Sequence, residues 1–431
     1  MAKDTSTKLR QLFLYQVYVR NHTKEGTFKS FQKDLDRIKK LGVDIVYFLP
    51  IHPIGQLHKK GSLGCPYSIA DYRAINPEYG TMNDFEATVK QIHDRSMKVM
   101  IDVVYNHTSH DSVLLQKHPE YFMRDEKGNL TSKEPGWSDI QDLDYKNNPQ
   151  LEGELIDTLL FWMDKGVDGF RFDVASFLPK TFLEKMRSAL KEKNPSVILL
   201  SESVHGHYLR HMRNRGFDVL SESEIYEIFD MSYDYDLHPY FEGYLKGEIS
   251  LNRYLEEMLR QEMIYPANYV KLRNLENHDF GRFAPMVTND PVRIDNWTAF
   301  IFFAKGATMI YAGQERCDMN QPSLFEKDDV NWHGRSIEPL IQTMASLTKR
   351  DICSEGIFDI HNIDKDVIVS SYIYNGTKMF GVFNISNALG TIATPIPDGT
   401  YLNQINKQEI TIKNGLLTLS KDPVVIMIDE N

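Results

Sequence analysis

The chain has 431 residues, 49 of them basic and 60 acidic, which gives a formal net charge of −11 at pH 7. That balance excludes nucleic acid and anionic membrane surfaces as partners, since either calls for a basic patch, and it favours a neutral ligand. The length exceeds one small domain; two domains and one insertion are the natural count.

The first residues, Met1-Ala2-Lys3-Asp4-Thr5-Ser6-Thr7-Lys8, lead into a short mixed strand and not into an apolar core with a small-residue cleavage site, so no signal peptide is expected. No apolar run nears membrane-spanning length. Cys65, Cys317 and Cys353 cannot all pair and lack zinc-site spacing, so reduced thiols in a cytoplasmic protein are expected.

From Phe13 to Tyr311 short β-rich runs alternate with amphipathic helical stretches, the pattern of a parallel α/β fold. Strands are predicted at 13–19, 45–49, 99–104, 169–174, 197–201, 228–233, 270–275 and 308–311, with Phe217-Asp218-Val219-Leu220 competing for the sixth place. Phe28, Phe31, Leu35, Ile38 and Leu41 recur at helical spacing and predict one packing helix closed by Gly42. Asn83, with Glu86 three residues on, reads as the N-cap of a helix that buries Phe85, Val89 and Ile92. Leu155, Leu159 and Trp162 mark a third helix ending at Gly166. Between His107 and about Gln150 the alternation lapses into turn-rich sequence, read as a small inserted subdomain. Helical patterns stop at about Thr348. Beyond it the β-rich runs 368–374 and 378–383 flank the turn dipeptide Asn375-Gly376, and runs at 410–412, 417–419 and 424–428 continue an antiparallel β-sandwich.

Arg171 and Asp173 lie two residues apart on a strand, so their side chains share one face, where the guanidinium favours an ionised carboxylate. Glu202 and Asp279 each close another predicted strand, and Asp102 heads Asp102-Val103-Val104-Tyr105-Asn106-His107 after the apolar run Val99-Met100-Ile101. Together the four segments resemble, in order, the four short sequence regions of the α-amylase superfamily of retaining α-glycoside hydrolases and transglycosylases. The likeness spans about Tyr15 to about Trp332.

The resemblance implies a (β/α)8 TIM barrel over 10–347, the insertion (107–150) following its third strand, and a C-terminal β-sandwich over 348–431. In such a barrel the acids gather at the C-terminal strand ends. By the same resemblance Asp173 is the nucleophile, Glu202 the general acid and base, and Asp279 the group that binds the distorted sugar. Glu202 lacks an adjacent basic residue and is expected to have a raised pKa. His107 and His278 match sugar-binding histidines, Tyr67 the tyrosine that stacks on the reacting ring or simply packs, and Arg171 completes the substrate-binding set. Trp137 is a sugar platform or a local core residue, and Arg282 an ion-pairing arginine with a structural role.

Many α-amylases anchor the insertion with calcium, and Asn106 and Asp142 match two of its ligands. Ser176-Phe177 replaces the usual Lys-His pair and the insertion is short, so no cofactor is expected to be required; without metal the two residues hydrogen-bond to each other or to the backbone. Asp173-Val174-Ala175 is similar to neopullulanase and cyclomaltodextrinase sequences, while Glu202-Ser203-Val204-His205 departs from both. The implied activity is hydrolysis of α-1,4-linked glucose oligosaccharides by double displacement. The alternatives are transfer with the same acids and a noncatalytic sugar-binding role.

Overall fold

Eight parallel strands close on themselves: β1 (Phe13–Val17), β2 (Ile45–Phe48), β3 (Lys98–Val103), β4 (Gly169–Phe172), β5 (Ile198–Ser201), β6 (Met231–Tyr233), β7 (Lys271–Arg273) and β8 (Ala307–Tyr311). Each pairs with its neighbours in chain order, and β8 returns to β1 with Phe13 opposite Thr308. Strands covered on both faces read as continuous apolar runs, which is why nearly every strand residue is buried. The computed structural model describes residues 2–361 and 364–429.

The sixth strand forms within the expected 228–233 run, and the competing 217–220 segment is loop. Its Val219 packs with Phe177 and Met212 outside the barrel. The stripe from Phe28 to Leu41 is buried as expected, but the single helix predicted there is broken in three: Phe28–Phe31, a 3-10 turn at Gln32–Asp34, and Leu35–Lys40. Asp34 sits at the break, its carboxylate accepting from Arg37 at 2.7 Å and lying 2.8 Å from the His22 ring, so local side-chain bonding competes with the helix. Gly42 then turns the chain at φ +96°.

The helix Met82–Asp94 is capped by Thr81 and not by Asn83. Thr81 accepts from the Asp84 amide, and the Asp84 carboxylate accepts from the Thr81 amide at 2.9 Å, a complete reciprocal cap two residues ahead of the expected one. The helix Pro149–Asp164 buries Leu155, Leu159 and Trp162, and the Trp162 indole donates to the Tyr72 carbonyl at 2.8 Å.

Within the insertion, His107–Ser109 pairs antiparallel with Ile140–Asp142, placing His107 opposite Asp142. Helical structure runs past Thr348 in one further helix, Asp351–Glu355, which is tied to the N-terminal turn by Lys8–Asp351 at 2.6 Å and by Arg10 donating to the Ser354 carbonyl. The remainder is two four-stranded antiparallel sheets. One holds Ile357–Ile360, Ile368–Tyr374, Thr377–Phe383 and Val424–Asp429; the other holds Thr391–Ala393, Leu416–Thr418, Glu409–Lys413 and Gly399–Leu402. Val369, Phe380, Ile392, Ile412 and Leu417 fill the space between them. Asn375 and Gly376 both take positive φ, the geometry of a two-residue hairpin turn.

Thr81→Ala is expected to lower the melting temperature by about 2–3 °C through loss of the cap, while Asn83→Ala leaves it within about 1 °C. Calorimetry of the two variants side by side decides which residue starts the helix.

Candidate active site

Arg171 on β4 stands in register with Asp102 on β3, so their side chains meet inside the barrel. The guanidinium Nη1 lies 2.8 Å from Asp102 Oδ1 and 2.9 Å from Asp173 Oδ1, and Nη2 lies 3.0 Å from Glu202 Oε2. Glu202 has no basic residue beside it in the sequence, yet Arg171 reaches it in space: one arginine serves three carboxyl groups. Strand spacing hid this, because the contact runs between β4 and the end of β5. Asp173 and Glu202 each extend the parallel ladder one residue, their amides donating to the carbonyls of Val103 and Phe172. That is what brings both acids to one rim of the barrel.

Three carboxyl groups around one buried cation cannot all be ionised cheaply. Burial and the neighbouring Glu202 charge push Asp173 well above the usual carboxylate range, against the expectation that Arg171 alone would hold it ionised. Burial raises Asp102 as well, although Arg171 and the Tyr47 hydroxyl oppose the shift. Both shifts run the same way, so the buried carboxyl groups around Arg171 favour the protonated form more than free carboxylates do. Val174 follows in the left-handed region at φ +36°, which a β-branched residue adopts only under constraint. In that turn its amide donates to Glu202 Oε2 at 2.7 Å.

Asp279 projects from an Asx turn in which Asn277 Oδ1 accepts from the amides of Asp279 and Phe280. It accepts from the Tyr235 hydroxyl at 3.1 Å and is raised by burial. Beside it, Gln16 donates to His278 Nδ1 at 3.1 Å. The ring proton is thereby left on Nε2, 2.6 Å from the Tyr67 oxygen, and Tyr67 in turn donates to Asp102 at 2.9 Å. Burial and the Arg171 charge lower His278 to about 3, so its imidazole is neutral. Burial also lowers His107, to about 4.

Tyr67 packs one face on the His278 ring, with centroids 5.4 Å apart and planes 13° apart, and also lines the cavity. That cavity, of about 250 Å³, is bounded by Tyr67, His107, Trp137, Asp173, Glu202 and Asp279, which brings the expected site residues together, with Arg171 and His278 directly behind. Trp137 lines the cavity while stacking on Phe177. At the outer wall Lys60 pairs with Asp139 at 2.8 Å, next to Leu324 and Phe325. Arg282 is buried against Glu276 at 2.6 Å and Asp318 at 3.1 Å, a structural ion pair as expected. Gln16, Tyr47, Tyr235 and Lys60 were not singled out from sequence. Gln16 alone carried a signal, as a polar residue inside the run Phe13-Leu14-Tyr15-Gln16-Val17.

Asn106 donates to Asp142 Oδ1 at 3.3 Å. Between them lies the Lys133 ammonium, 2.7 Å from Asn106 Oδ1 and 3.4 Å from Asp142 Oδ2. Calcium takes six to eight oxygen ligands. Two oxygens already facing an ammonium do not fit it, and among the described residues no cluster of three or more His, Cys, Asp or Glu side chains is arranged to hold a metal ion.

The model for the alpha-amylase catalytic domain matches residues 11–136 and 135–353, and that for the bacterial alpha-amylase C-terminal domain matches residues 359–426. An alpha-amylase structure from Lactobacillus plantarum superimposes with a TM-score of 0.95 at 39% identity, covering 98% of this chain and all of that one. A noncanonic maltogenic alpha-amylase, AmyB, from Thermotoga neapolitana gives 0.87 at 31% identity, covering 98% and 99%. Neopullulanase 2 from Thermoactinomyces vulgaris is 25% identical across 94% of this chain and 70% of its own length. An α-1,4-glucan:maltose-1-phosphate maltosyltransferase from Corynebacterium pseudotuberculosis is 31% identical over 47% of this chain, which spans about a third of that enzyme (32%).

Arg171→Met leaves the acids without their cation and is expected to cost about 3–5 kcal/mol of stability. Without the guanidinium the folded protein must hold these acids protonated, so their folded pKa values rise above the unfolded ones. The folded state then binds more protons than the unfolded state, and stability falls as pH rises. The gap in melting temperature between variant and wild type should therefore be wider at pH 8 than at pH 5, as thermal scans at the two values will show.

Proposed function

Because the chain belongs to the alpha-amylase family of glycoside hydrolases, we propose that it cleaves α-1,4-linked glucose oligosaccharides by double displacement with retention of the α configuration. The observation that carries this reading is the placement of Asp173 and Glu202 on adjacent strand ends around one shared arginine. In the proposed reaction Glu202 holds the pair's proton once sugar is bound, and Asp173, facing Arg171 Nη1, attacks the anomeric carbon. The C–O bond to the leaving sugar breaks as Glu202 protonates that oxygen, giving a β-linked glycosyl ester on Asp173. Glu202 then takes a proton from water, which attacks the same carbon and frees Asp173. Asp279 binds hydroxyls of the distorted ring and offsets its positive charge. Neutral His107 and His278 contribute hydrogen bonds without adding a cation, and Tyr67 covers one side of the ring.

The substrate class is supported by the names of the relatives, which centre on α-glucans, and the short length by the site's walls. The Lys60–Asp139 pair and Phe325 crowd the cavity, which leaves room for few sugar units. A second reading, transfer to a sugar acceptor, is favoured by the open groove beside Asp279, where Phe280 stacks on His238 with centroids 3.5 Å apart next to His205 and Tyr208. We place the enzyme in the cytoplasm, since three unpaired cysteines suit a reducing compartment. No helix of the described residues is long and apolar enough to cross a membrane.

Asp173→Asn should cut turnover by about three orders of magnitude or more while oligosaccharide binding persists; retention of more than a few per cent of activity would remove Asp173 from the nucleophile's role. Proton NMR of a fresh digest should show the α-anomer first, with the β-anomer growing only by mutarotation, and chromatography of maltotetraose products separates hydrolysis (shorter) from transfer (longer). On substrate length, kcat/KM for maltotriose through maltoheptaose should exceed the rate on raw starch, and the reverse order would refute the preference for short chains.

A further inference from the structure

Outside the catalytic cluster, a buried polar site lies under the insertion. Asp142 is fully buried, and Asn106 beside it is too. A carboxylate in that position is costly unless a cation compensates it. The cation present comes from the chain itself: Lys133, its side chain only 13% exposed, places its ammonium 2.7 Å from Asn106 Oδ1 and 3.4 Å from Asp142 Oδ2. The Lys133 amide also donates to Asp142 Oδ2 at 2.9 Å, so the residue delivers a charge and a backbone hydrogen bond to one carboxylate. We propose that Lys133 is a built-in cation that replaces the calcium ion implied by family resemblance as the anchor of the insertion, and that this chain folds independently of metal.

The neighbouring bonds orient the same way. With Oδ1 of Asn106 facing the ammonium, its Nδ2 faces acceptors, Asp142 Oδ1 at 3.3 Å and His107 Nδ1 at 3.1 Å. A metal at this point would need the Asn106 and Asp142 oxygens that Lys133 holds. The lysine is itself fixed from the other side, where Arg215 donates to its carbonyl and the Tyr208 hydroxyl donates to Glu134 at 2.9 Å. The ammonium therefore joins the segment after β3 to the insertion, and the Lys133 carbonyl ties the insertion to Arg215 at the end of the 206–214 helix. The insertion so anchored carries Trp137 and Asp139 to the cavity wall.

The test reads stability of the full chain, so it stands apart from which sugar the enzyme takes. Wild-type protein dialysed against chelator, and again with excess calcium, should melt within about 1 °C of untreated protein. Lys133→Met should melt about 5–10 °C lower because Asp142 loses its partner, and the double variant Lys133→Met/Asp142→Asn should recover most of that loss. If wild type loses stability on chelation and regains it with calcium, the proposal fails. It fails equally if Lys133→Met melts like wild type, or if the double variant melts no higher than Lys133→Met. Should the single variant not fold, soluble double variant with a near wild-type melting point supports the proposal, an insoluble double variant opposes it, and the wild-type comparison decides in either case.

Discussion

One buried guanidinium surrounded by three carboxyl groups is the constraint on which the rest of the site depends. Arg171 can reach Asp102, Asp173 and Glu202 only because β3, β4 and β5 are parallel and in a fixed register. A one-residue slip of β4 would turn Arg171 out of the barrel interior and leave three acids without a cation. The charge count also dictates chemistry. With fewer positive charges than acids, burial is not fully compensated, and Asp173 and Asp102 are both pushed above the usual carboxylate range.

The next layer completes the hydrogen bonding around the cluster. Asp102 is held by Tyr47, Tyr67 and Arg171, so it presents a satisfied group to the cavity floor. His278, oriented by Gln16, and His107, oriented by Asn106, stay neutral in their buried positions. A protonated histidine here would compete with Arg171 for the carboxylates. Burial of the imidazoles thus protects the charge state that Arg171 establishes.

Farther out, the cavity wall is assembled from segments distant in the chain. The 57–64 loop is fastened to the segment around Phe325, with Leu63 donating to the Phe325 carbonyl at 3.1 Å and Ser62 bonded to Glu326. Lys60 crosses from that loop to Asp139 in the insertion, whose own anchor is Lys133. The barrel supplies the rigid acids, while loops joined by hydrogen bonds and the Lys60–Asp139 ion pair form the cavity wall.

Apolar runs and their spacing were enough to read a parallel α/β fold, the hairpin turn at Asn375-Gly376 and the strand ends that carry Asp173 and Glu202, while the closed barrel was implied by the resemblance of four motifs to the α-amylase superfamily. These are local quantities: alternation, burial and a residue's position on its own strand. The helix cap at Thr81, the break at Asp34 and the extra helix at Asp351–Glu355 turned on competing side-chain bonds that residue types alone do not rank. Which groups share a cation was decided only in three dimensions. Arg171 meets Glu202 across two strands, Gln16 meets His278 across the barrel, and Lys133 meets Asn106 across 27 residues of chain. Sequence determines which face of an element a side chain occupies, whereas Coulombic pairing and burial depend on distances between elements, and those exist only once the barrel has closed.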